Sequence, residues 1–198
     1  MASKVAFIIT HYDRKLALRN CLLSLKLQTF ADWKGIVVDN GHPRQSPSTR
    51  YTAQQEGFDY CYTRPETTIT GAIHTHSLYK ATEIGVKLTE SEWLCFPNDD
   101  SYYCPWFLER MLRAAEANQW DLVYCDFVAG SALGHWTMQS SPRLCCIDKT
   151  CFILKREWFR GFPATAENYP QADGLMIEDL VKRGIRHGRV PEVLCVHN

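Results

Sequence analysis

The chain has 198 residues, of which 45% are apolar and 22% charged, and these ordinary globular values exclude a disordered, collagenous or coiled-coil protein. Lys and Arg total 22, and Asp and Glu total 22, so the chain lacks the basic excess typical of nucleic-acid binders, and we expect no nucleic-acid partner. The length predicts one domain, residues 1–198, large enough to bury its own hydrophobic core.

The N-terminal segment and the cysteines predict a reducing compartment. No apolar run approaches the roughly 20 residues of a membrane span, and the N-terminus lacks the apolar core and cleavage site of a signal peptide. The nine cysteines are odd in number and include no C-x-x-C pair, which argues against a disulfide framework, a zinc ribbon or a thioredoxin motif. We therefore expect a cytoplasmic protein with reduced, mostly buried thiols and no transmembrane segment.

Strands and helices alternate in the first part of the chain. Short apolar, β-branched runs predict strands, and apolar residues at helical spacing predict helices. The predicted strands are 4–10, 34–38, 60–63 and 93–96, and the predicted helices are 14–28, 71–87 and 105–118. The last of these helices has a proline in its first turn, a common start signal. Residues 42–52 are rich in Pro, Ser and Arg and are predicted to form a loop.

The second part of the chain contains more strands and fewer helices. Strands are predicted at 122–128, within 144–154 and at 190–196, with a helical turn at 157–162 and a helix at 173–183 that ends at Gly184. Residues 130–142 are predicted as a loop or irregular hairpin that could form a mobile lid. The order predicts an α/β fold, a single domain with a mixed, mostly parallel central sheet flanked by helices.

Polar residues follow the predicted strands, where open α/β sheets bind their ligands. Asn98, Asp99 and Asp100 come directly after an apolar strand. Adjacent carboxylates raise each other's pKa unless a cation lies between them, and carboxylate oxygens suit Mg²⁺ or Mn²⁺, which often bridge a protein to substrate phosphates. The alternative is that these acids are solvated or cap the following helix.

Asp39 and His197 also follow apolar strands. Asp39 could accept hydrogen bonds from a base or ribose, or it could only close an Asx turn. His197 could complete a metal site with the acidic pair, or it could be a terminal polar residue without a ligand. His74 and His76 are not expected to form a metal pair, because residues two apart on a helix do not share a face.

Three acidic residues of the last predicted helix, Asp173, Glu178 and Asp179, are candidates for a general base. A carboxylate at a helix N-terminus is often only a partner of the helix dipole, but one that faces a cleft can take a proton from a hydroxyl. We favour Asp173 because it lies at the helix start. The sequence lacks P-loop, G-x-G-x-x-G and G-x-S-x-G motifs, which disfavours P-loop NTPases, standard dinucleotide dehydrogenases and α/β-hydrolases.

Five segments resemble, in the right order, the family-2 glycosyltransferases of the GT-A fold. They match the opening strand with its Thr/Tyr-Asn-Arg loop, the strand that carries the base-contacting aspartate, the acidic metal motif, the acceptor-side acid motif and the closing strand with its histidine. The segments are Val5–Arg14, Gly35–Gly41, Trp93–Leu108, Ala172–Gly184 and Arg189–His197. The resemblance covers nearly the whole chain and implies a nucleotide- and metal-binding half at 1–104 and an acceptor half at 105–198.

The resemblance implies a metal-dependent, inverting transferase that moves a sugar from a nucleotide-sugar donor, a UDP-sugar first of all, to a hydroxyl of a glycan acceptor, as in polysaccharide biosynthesis. Mn²⁺ or Mg²⁺ would neutralise the charge on the departing diphosphate. The implied roles are Thr10 and Tyr12 in the nucleotide pocket, Asp39 on the base, Asp100 on the metal, Asp99 or Asn98 near the ribose or metal, His197 on the metal or diphosphate, and Asp173 as the catalytic base.

The sequence departs from the family pattern at two places. Asn98 stands where the family usually has the first aspartate of its acidic motif, so either Asp99 or Asp100 can be the principal metal ligand. Thr75-His76-Ser77 stands where the family often has Ala-Arg-Asn, and the missing arginine could be replaced by His74, His76 or Arg64. The base could also be Glu178 or Asp179. The chain ends where the core fold would end, as expected for a domain of a longer polypeptide.

Aromatic residues supply candidates for stacking on a sugar. Tyr102, Tyr103 and Trp136, which are predicted in loops, are better candidates than Trp93 and Trp106. Two other functions were weighed against the transferase. A sugar nucleotidyltransferase usually has a glycine-rich, basic loop after its first strand, and this chain has no glycine there. A non-catalytic nucleotide- or sugar-binding module would explain Asn98 as the sign of a decayed site.

Overall fold

The computed structural model describes residues 2–64, 75–131, 134–163 and 171–198. The strands are β1 Val5–His11, β2 Trp33–Asp39, β3 Asp59–Tyr62, β4 Trp93–Cys95, β5 Ser101–Tyr103, β6 Leu122–Ser131, β7 Gly134–Met138, β8 Phe152–Lys155 and β9 His187–His197. The helices are α1 Lys15–Lys26, α2 Ser46–Gln55, α3 Thr75–Lys87, α4 Phe107–Asn118 and α5 Ala172–Lys182. Two short 3₁₀ turns, Lys149–Cys151 and Arg156–Trp158, flank β8.

One mixed sheet contains all of these strands, in the order β3-β2-β1-β4-β8-β6-β9-β5, with β7 paired to the outer part of β6. The pairs β3–β2, β2–β1, β1–β4 and β6–β9 are parallel, and the pairs that involve β8, β5 and β7 are antiparallel. The predicted α/β fold with a mixed sheet is therefore confirmed.

The direction of the strands explains where polar residues collect. Because β8 runs antiparallel to both β4 and β6, strands β1, β2, β3, β4, β6 and β9 all point the same way. Their carboxyl ends meet at one edge of the sheet, which we call the polar edge. The antiparallel strands β5 and β8 begin at this edge, so the residues that precede them lie there too. In open α/β sheets this edge is the usual place for a ligand.

The core lies between the sheet and its helices. All seven residues of β1 are buried, as expected for a central strand covered on both faces. The leucine stripe of α1 is only partly a core face: Leu18, Leu22 and Leu25 are buried, whereas Leu16 and Leu27 are exposed by 75% and 66%. The reason is that α1 packs one face on the sheet, and these two leucines lie on the other.

Several predicted elements differ from the structure. The loop predicted at 42–52 is wrong, because α2 begins at Ser46 with a proline in its first turn, where proline's fixed φ favours a helix start. Residues 101–103, predicted as irregular, form β5. Helix α4 begins at Phe107 rather than at residue 105, and the side chain of its N-cap residue, Trp106, makes no capping hydrogen bond, so the alternative role of the acidic motif as a helix cap is wrong. The first four residues of the predicted helix 71–87 lie outside the described residues.

The end of the last helix and the hairpin match the predictions. Helix α5 is followed by Gly184 at φ +84°, a backbone conformation that favours glycine at a helix end. Within residues 130–142, β6 and β7 form a hairpin, although residues 132 and 133 lie outside the described part. All nine cysteines are free thiols. No helix in the described segments has the length and apolar character needed to cross a membrane.

Candidate active site

The acidic motif lies at the centre of the polar edge, directly after β4. Asp99 is completely buried, and its Oδ2 accepts hydrogen bonds from His11 Nδ1 at 2.8 Å and from the Tyr12 amide at 3.0 Å. Arg14 forms an ion pair with Asp99 Oδ1 at 2.6 Å and a second ion pair with Asp100. The motif is therefore fixed to the loop that follows β1, and Arg14 supplies a positive charge to both carboxylates.

Asp100 has one oxygen available for a further ligand. Its Oδ2 forms the ion pair with Arg14. Its Oδ1 is buried, accepts no hydrogen bond and lies 3.8 Å from His197 Nε2. Burial raises the pKa of Asp100 above its usual value, and the charge of Asp99 adds to this effect. The charges of Arg14 and His197 lower the pKa but do not cancel the effect of burial. A buried carboxylate oxygen without a partner is costly, so this oxygen is the natural ligand for a cation.

His197 ends β9 and faces two carboxylates. Its Nδ1 lies 3.1 Å from Asp148 Oδ2, and its Nε2 is directed toward Asp100 and the Asn98 amide. Burial favours the neutral ring, but the hydrogen bond and charge of Asp148 and the charge of Asp100 outweigh it and raise the pKa of His197. Burial alone would raise the pKa of Asp148. The hydrogen bond and charge of His197 outweigh burial and lower the pKa of this carboxyl to about 2.

The side chains at this place include two donors that suit a divalent cation. Asp100 Oδ1 and His197 Nε2 are the two candidate ligands, and within the described ranges no group of three or more His, Cys, Asp and Glu side chains is arranged to hold a metal. Mg²⁺ and Mn²⁺ commonly take one or two protein ligands and complete their shell with substrate phosphates and water. The pair therefore fits a metal that is bound together with a diphosphate.

Asp173 lies in the first turn of α5 and is only 6% exposed. Its Oδ2 accepts the Lys149 amide at 2.8 Å, and its Oδ1 accepts the Gly174 amide at 2.9 Å. Burial and the charge of nearby Asp148 raise the pKa of Asp173 to about 6. A carboxyl with this pKa is still ionised near neutral pH and can accept a proton efficiently.

The two alternative bases have other partners. Glu178 accepts the Leu144 amide at 2.9 Å, and Asp179, whose side chain is 59% exposed, pairs with Arg183 at 3.2 Å on the surface of α5. Asp173 differs from both because it is buried and binds the amide of Lys149, whose side chain reaches Thr10 and the Phe96 carbonyl at the polar edge. This contact favours Asp173 among the three candidates.

Asp39 ends β2 with both carboxylate oxygens occupied by the protein. Oδ1 accepts the Gly41 amide at 2.9 Å, which is the predicted Asx turn, and Oδ2 accepts the Tyr60 hydroxyl at 2.8 Å. Burial raises the pKa of Tyr60 to about 12. Asn40 is held in the same way by Ser77, whose hydroxyl donates to its side-chain oxygen at 2.8 Å. The polar groups at this end of the edge are therefore held in place by the protein itself.

The residues expected to line the nucleotide pocket differ in exposure. Thr10 is 3% exposed, and its hydroxyl donates to Asn98 Oδ1 at 3.3 Å and accepts from Lys149 Nζ at 3.0 Å. Tyr12 is 37% exposed and available to a ligand. Asn98 is half-buried and links Thr10 to His197: its Oδ1 accepts the Thr10 hydroxyl, and its Nδ2 lies within hydrogen-bond distance of His197 Nε2. The side-chain oxygen of Asn98 therefore already has a protein partner.

Tyr103, one of the candidates for stacking on a sugar, is instead a core residue. Its ring packs against Phe107 with 4.8 Å between centroids, and its hydroxyl donates to the Thr150 carbonyl inside the core. Trp93 is also a core residue, whereas Trp106 and Trp136 are about half exposed. Among the residues considered for the missing arginine contact, Arg64 is exposed, and His74 and the side chain of His76 lie outside the described residues.

Sequence reasoning assigned no role to several residues at this edge: Arg14, Tyr60, Asp148 and Lys149. Asp148 and Lys149 precede β8, which runs against its neighbours, so a search limited to residues after strands passes over them. Two signals in the sequence could have indicated them. Asp148 stands two residues before Thr150, a typical capping spacing, and in the structure its Oδ1 accepts the Thr150 amide at 2.9 Å. Lys149 stands next to an apolar run.

A family model described as glycosyl transferase family 2 matches residues 6–174. Two Bacillus subtilis (strain 168) proteins named as glycosyltransferases are also similar. EpsH is 27% identical over 127 residues, which cover 63% of this chain and 34% of EpsH. EpsJ is 27% identical over 134 residues, which cover 67% of this chain and 36% of EpsJ. The chain thus spans about a third of the length of these curated relatives.

Similar folds occur in solved structures. Residues 1–349 of S. aureus TarS align with a TM-score of 0.75 at 15% identity, covering 98% of this chain and 60% of TarS 1–349. The mannosyltransferase PcManGT from Pyrobaculum calidifontis, in complex with GDP-Man and Mn²⁺, aligns with a TM-score of 0.71 at 17% identity, covering all of this chain and 57% of PcManGT. These identities support the shared fold alone. Because the family model covers most of its residues, the chain belongs to glycosyl transferase family 2.

Proposed function

We propose that the chain transfers a sugar from a nucleotide-sugar donor to a hydroxyl of a glycan acceptor, with inversion at the anomeric carbon. The observation that carries the proposal is the position of Asp173, a buried carboxyl at the same edge as the Asp100 and His197 pair. A general base and an anion-stabilising group on one edge are what a single displacement requires. Family membership supports the same reaction class.

The donor half of the reaction is assigned to residues before α4. Asp39 would recognise the base, Thr10 and Tyr12 would line the nucleotide pocket, and Asn98 or Asp99 would lie near the ribose. We propose a UDP-sugar, because TarS 1–349 has been solved with UDP and with UDP-GlcNAc. A GDP-sugar is the alternative donor, since PcManGT has been solved with GDP-Man.

The leaving diphosphate needs positive charge. Asp100 and His197 would hold Mn²⁺ or Mg²⁺, with Asp99 as a further candidate ligand, and the bound cation would neutralise the charge that develops on the diphosphate. Arg14 keeps Asp99 and Asp100 in place and lowers the net negative charge at this edge.

The acceptor half of the reaction belongs to Asp173. An acceptor hydroxyl attacks the anomeric carbon while its proton passes to a carboxylate oxygen of Asp173. The bond to the diphosphate breaks on the opposite face of the sugar, which inverts the configuration. A pKa of about 6 leaves Asp173 mostly ionised at pH 7, so it is in the form that accepts the proton.

Calorimetric titration with UDP, first with Mn²⁺ and then with EDTA, tests the proposal. We expect binding that requires Mn²⁺ and that weakens at least about tenfold in Asp100→Ala, since a first ligand of the metal is lost. Asp32→Ala, an exposed loop residue before β2, is the matched control and retains binding. UDP-sugars are then screened for hydrolysis.

Two results would contradict the proposal. Absence of binding to UDP, GDP and dTDP would exclude a nucleotide-sugar donor. Nucleotide binding without turnover of any UDP- or GDP-sugar would favour the non-catalytic binding module instead.

A further inference from the structure

A buried lysine lies between the two halves of the site. Lys149 is 6% exposed and begins the 3₁₀ turn before β8. Its ammonium group donates to Thr10 Oγ1 at 3.0 Å and lies 3.5 Å from the Phe96 carbonyl oxygen, so it reaches the ends of β1 and β4. Its backbone amide donates to Asp173 at 2.8 Å on the acceptor side.

Burial of a lysine at this position has an electrostatic reason. Burial lowers the pKa of Lys149, but four carboxylates act in the opposite direction and favour the ammonium form. In order of decreasing effect they are those of Asp148, Asp173, Asp99 and Asp100. An unpaired buried charge would be strongly destabilising, whereas a cation surrounded by carboxylates is compensated.

Of the four carboxylates, three are paired with other cationic side chains. Arg14 pairs with Asp99 and Asp100, and His197 pairs with Asp148. The described contacts of the Asp173 carboxylate are the two backbone amides, and the charge of Asp148 disfavours its ionised form. Lys149, whose backbone amide binds Asp173, also carries a buried positive charge, and this charge lowers the pKa of Asp173 in addition to the two amides.

We propose that Lys149 is a positioning residue: its amide holds the Asp173 carboxylate, and its buried positive charge partly offsets Asp148 and helps to keep Asp173 ionised as a base. The groups that face Asp173 are Asp148 and Lys149 from the segment before β8 and Tyr79 from α3, whose ring packs near Ala172. Burial raises the pKa of Tyr79, so its hydroxyl stays neutral and supplies no compensating charge. The inference rests on the proposed function, because it takes Asp173 as the base.

The test measures the titration of Asp173 directly, without a donor or a metal. The ¹³C carboxyl resonance of Asp173, identified by its absence in Asp173→Asn, is followed against pH in the 198-residue chain. Lys149→Gln removes the charge and keeps a group able to donate to Thr10. We expect the Asp173 midpoint to rise by roughly one pH unit, because an opposite charge nearby favours the ionised form. Lys149→Met is a second neutral variant, and Lys149→Arg should restore the wild-type midpoint.

Lys155 provides a matched control. It stands at the other end of β8, where it pairs with Asp121 at 2.7 Å away from the polar edge. Lys155→Gln should lower stability and leave the Asp173 midpoint unchanged. An unchanged midpoint in a folded Lys149→Gln or Lys149→Met protein would overturn the proposal, as would an equal shift in Lys155→Gln. Unfolding of both neutral variants beside a folded Lys149→Arg would overturn it in favour of a structural role.

The result is separable from that of the proposed function. A raised midpoint in a protein that binds no nucleotide would keep the electrostatic role and remove the assignment of Asp173 as a transferase base. In an active transferase, Lys149→Gln should move the acid limb of the kcat profile to higher pH, whereas a merely structural defect would lower kcat without moving that limb.

Discussion

At the residue scale, the site depends on pairs of side chains in which one member fixes the other. Asp99 is held by His11 and Arg14, and His197 is held by Asp148. A histidine that binds a metal generally donates its other ring N–H to a carboxylate, which sets its tautomer and orientation. The Asp148 contact to Nδ1 leaves Nε2 directed toward Asp100, so this pair has the arrangement of a supported ligand.

We predict that Asp148→Asn weakens Mn²⁺ binding by roughly 10- to 100-fold, the usual effect of removing such a supporting carboxylate. The physical reason is that the neutral amide introduced at position 148 no longer provides the negative charge that orients the His197 ring. Titration of the chain with Mn²⁺ in the presence of UDP, followed by the loss of the free-ion electron paramagnetic resonance signal, measures this change. Asp121→Asn, a buried carboxylate before β6 at the opposite edge of the sheet, should retain wild-type affinity. Equal weakening in the two variants would contradict the supporting role of Asp148.

The site residues show what sequence reasoning can reach. Asp39, Asp100 and His197 were singled out because each follows an apolar run, and parallel strands bring such residues to one edge. The role of Thr10 came from the family resemblance. Lys149 was not predicted. Its burial depends on contacts with Thr10 and Phe96, which are more than fifty residues away in sequence, and no local pattern specifies such contacts.

At the element scale, apolar strands and well-formed helices could be predicted, and polar or very short elements could not. Strand β1 is an uninterrupted apolar run, so its assignment was simple. Helix α2 buries only Thr49 and Ala53, so its sequence resembles a loop. Strand β5 has three residues and exists because it pairs with β9 from Ser101 to Tyr103. Pairing of that kind is a tertiary effect that local propensity does not contain.

Close packing of α3 on the sheet gives a prediction whose sign can be decided. Gly→Ala in an exposed helix usually stabilises by up to about 1 kcal/mol. At Gly85 a Cβ would meet Ile8 Cγ2 and lie 2.8 Å from Val38 Cγ2, and both neighbours are completely buried. Overpacking of this kind costs about 1–3 kcal/mol, so Gly85→Ala should lower the free energy of unfolding by about 1 kcal/mol or more.

Chemical denaturation of Gly85→Ala measures that free energy. Lys87→Ala on the exposed side of α3 is the control and should remain within about 0.5 kcal/mol of the wild type. An increase in stability of Gly85→Ala would mean that α3 does not approach the sheet as closely as the structure indicates.

At the scale of the whole molecule, the strand directions concentrate buried charge at one edge. Six strands end there. The residues around these strand ends include Asp39, Asp99, Asp100 and Lys149, all of which are buried. Such a concentration lowers stability unless every charge is compensated, and functional sites commonly retain this cost. The order β4-β8-β6, which creates the arrangement, joins segments distant in sequence and was not predictable from local patterns.

Asp173 allows this cost to be measured on the whole protein. Its folded-state pKa, about 6, lies above the usual value of an unfolded aspartate, so the folded state binds the proton more tightly than the unfolded state does. Stability contributed by this group is therefore complete below about pH 4 and is lost as the pH rises through about 6. Asp173→Asn mimics the protonated form at every pH, so it should match the wild type near pH 4.

Near pH 8, Asp173→Asn should be more stable than the wild type by about 1–3 kcal/mol, the free energy equivalent to a pKa difference of roughly one to two units. Urea denaturation of both proteins at pH 4 and pH 8 measures the difference. Asp179→Asn, which removes an exposed carboxylate on the same helix, is the control. The same Asp173→Asn protein should bind UDP and fail to transfer sugar. A stability difference that is equal at the two pH values would mean that the surroundings do not disfavour the Asp173 carboxylate. The stability cost of the site would then lie in other charged groups of the polar edge.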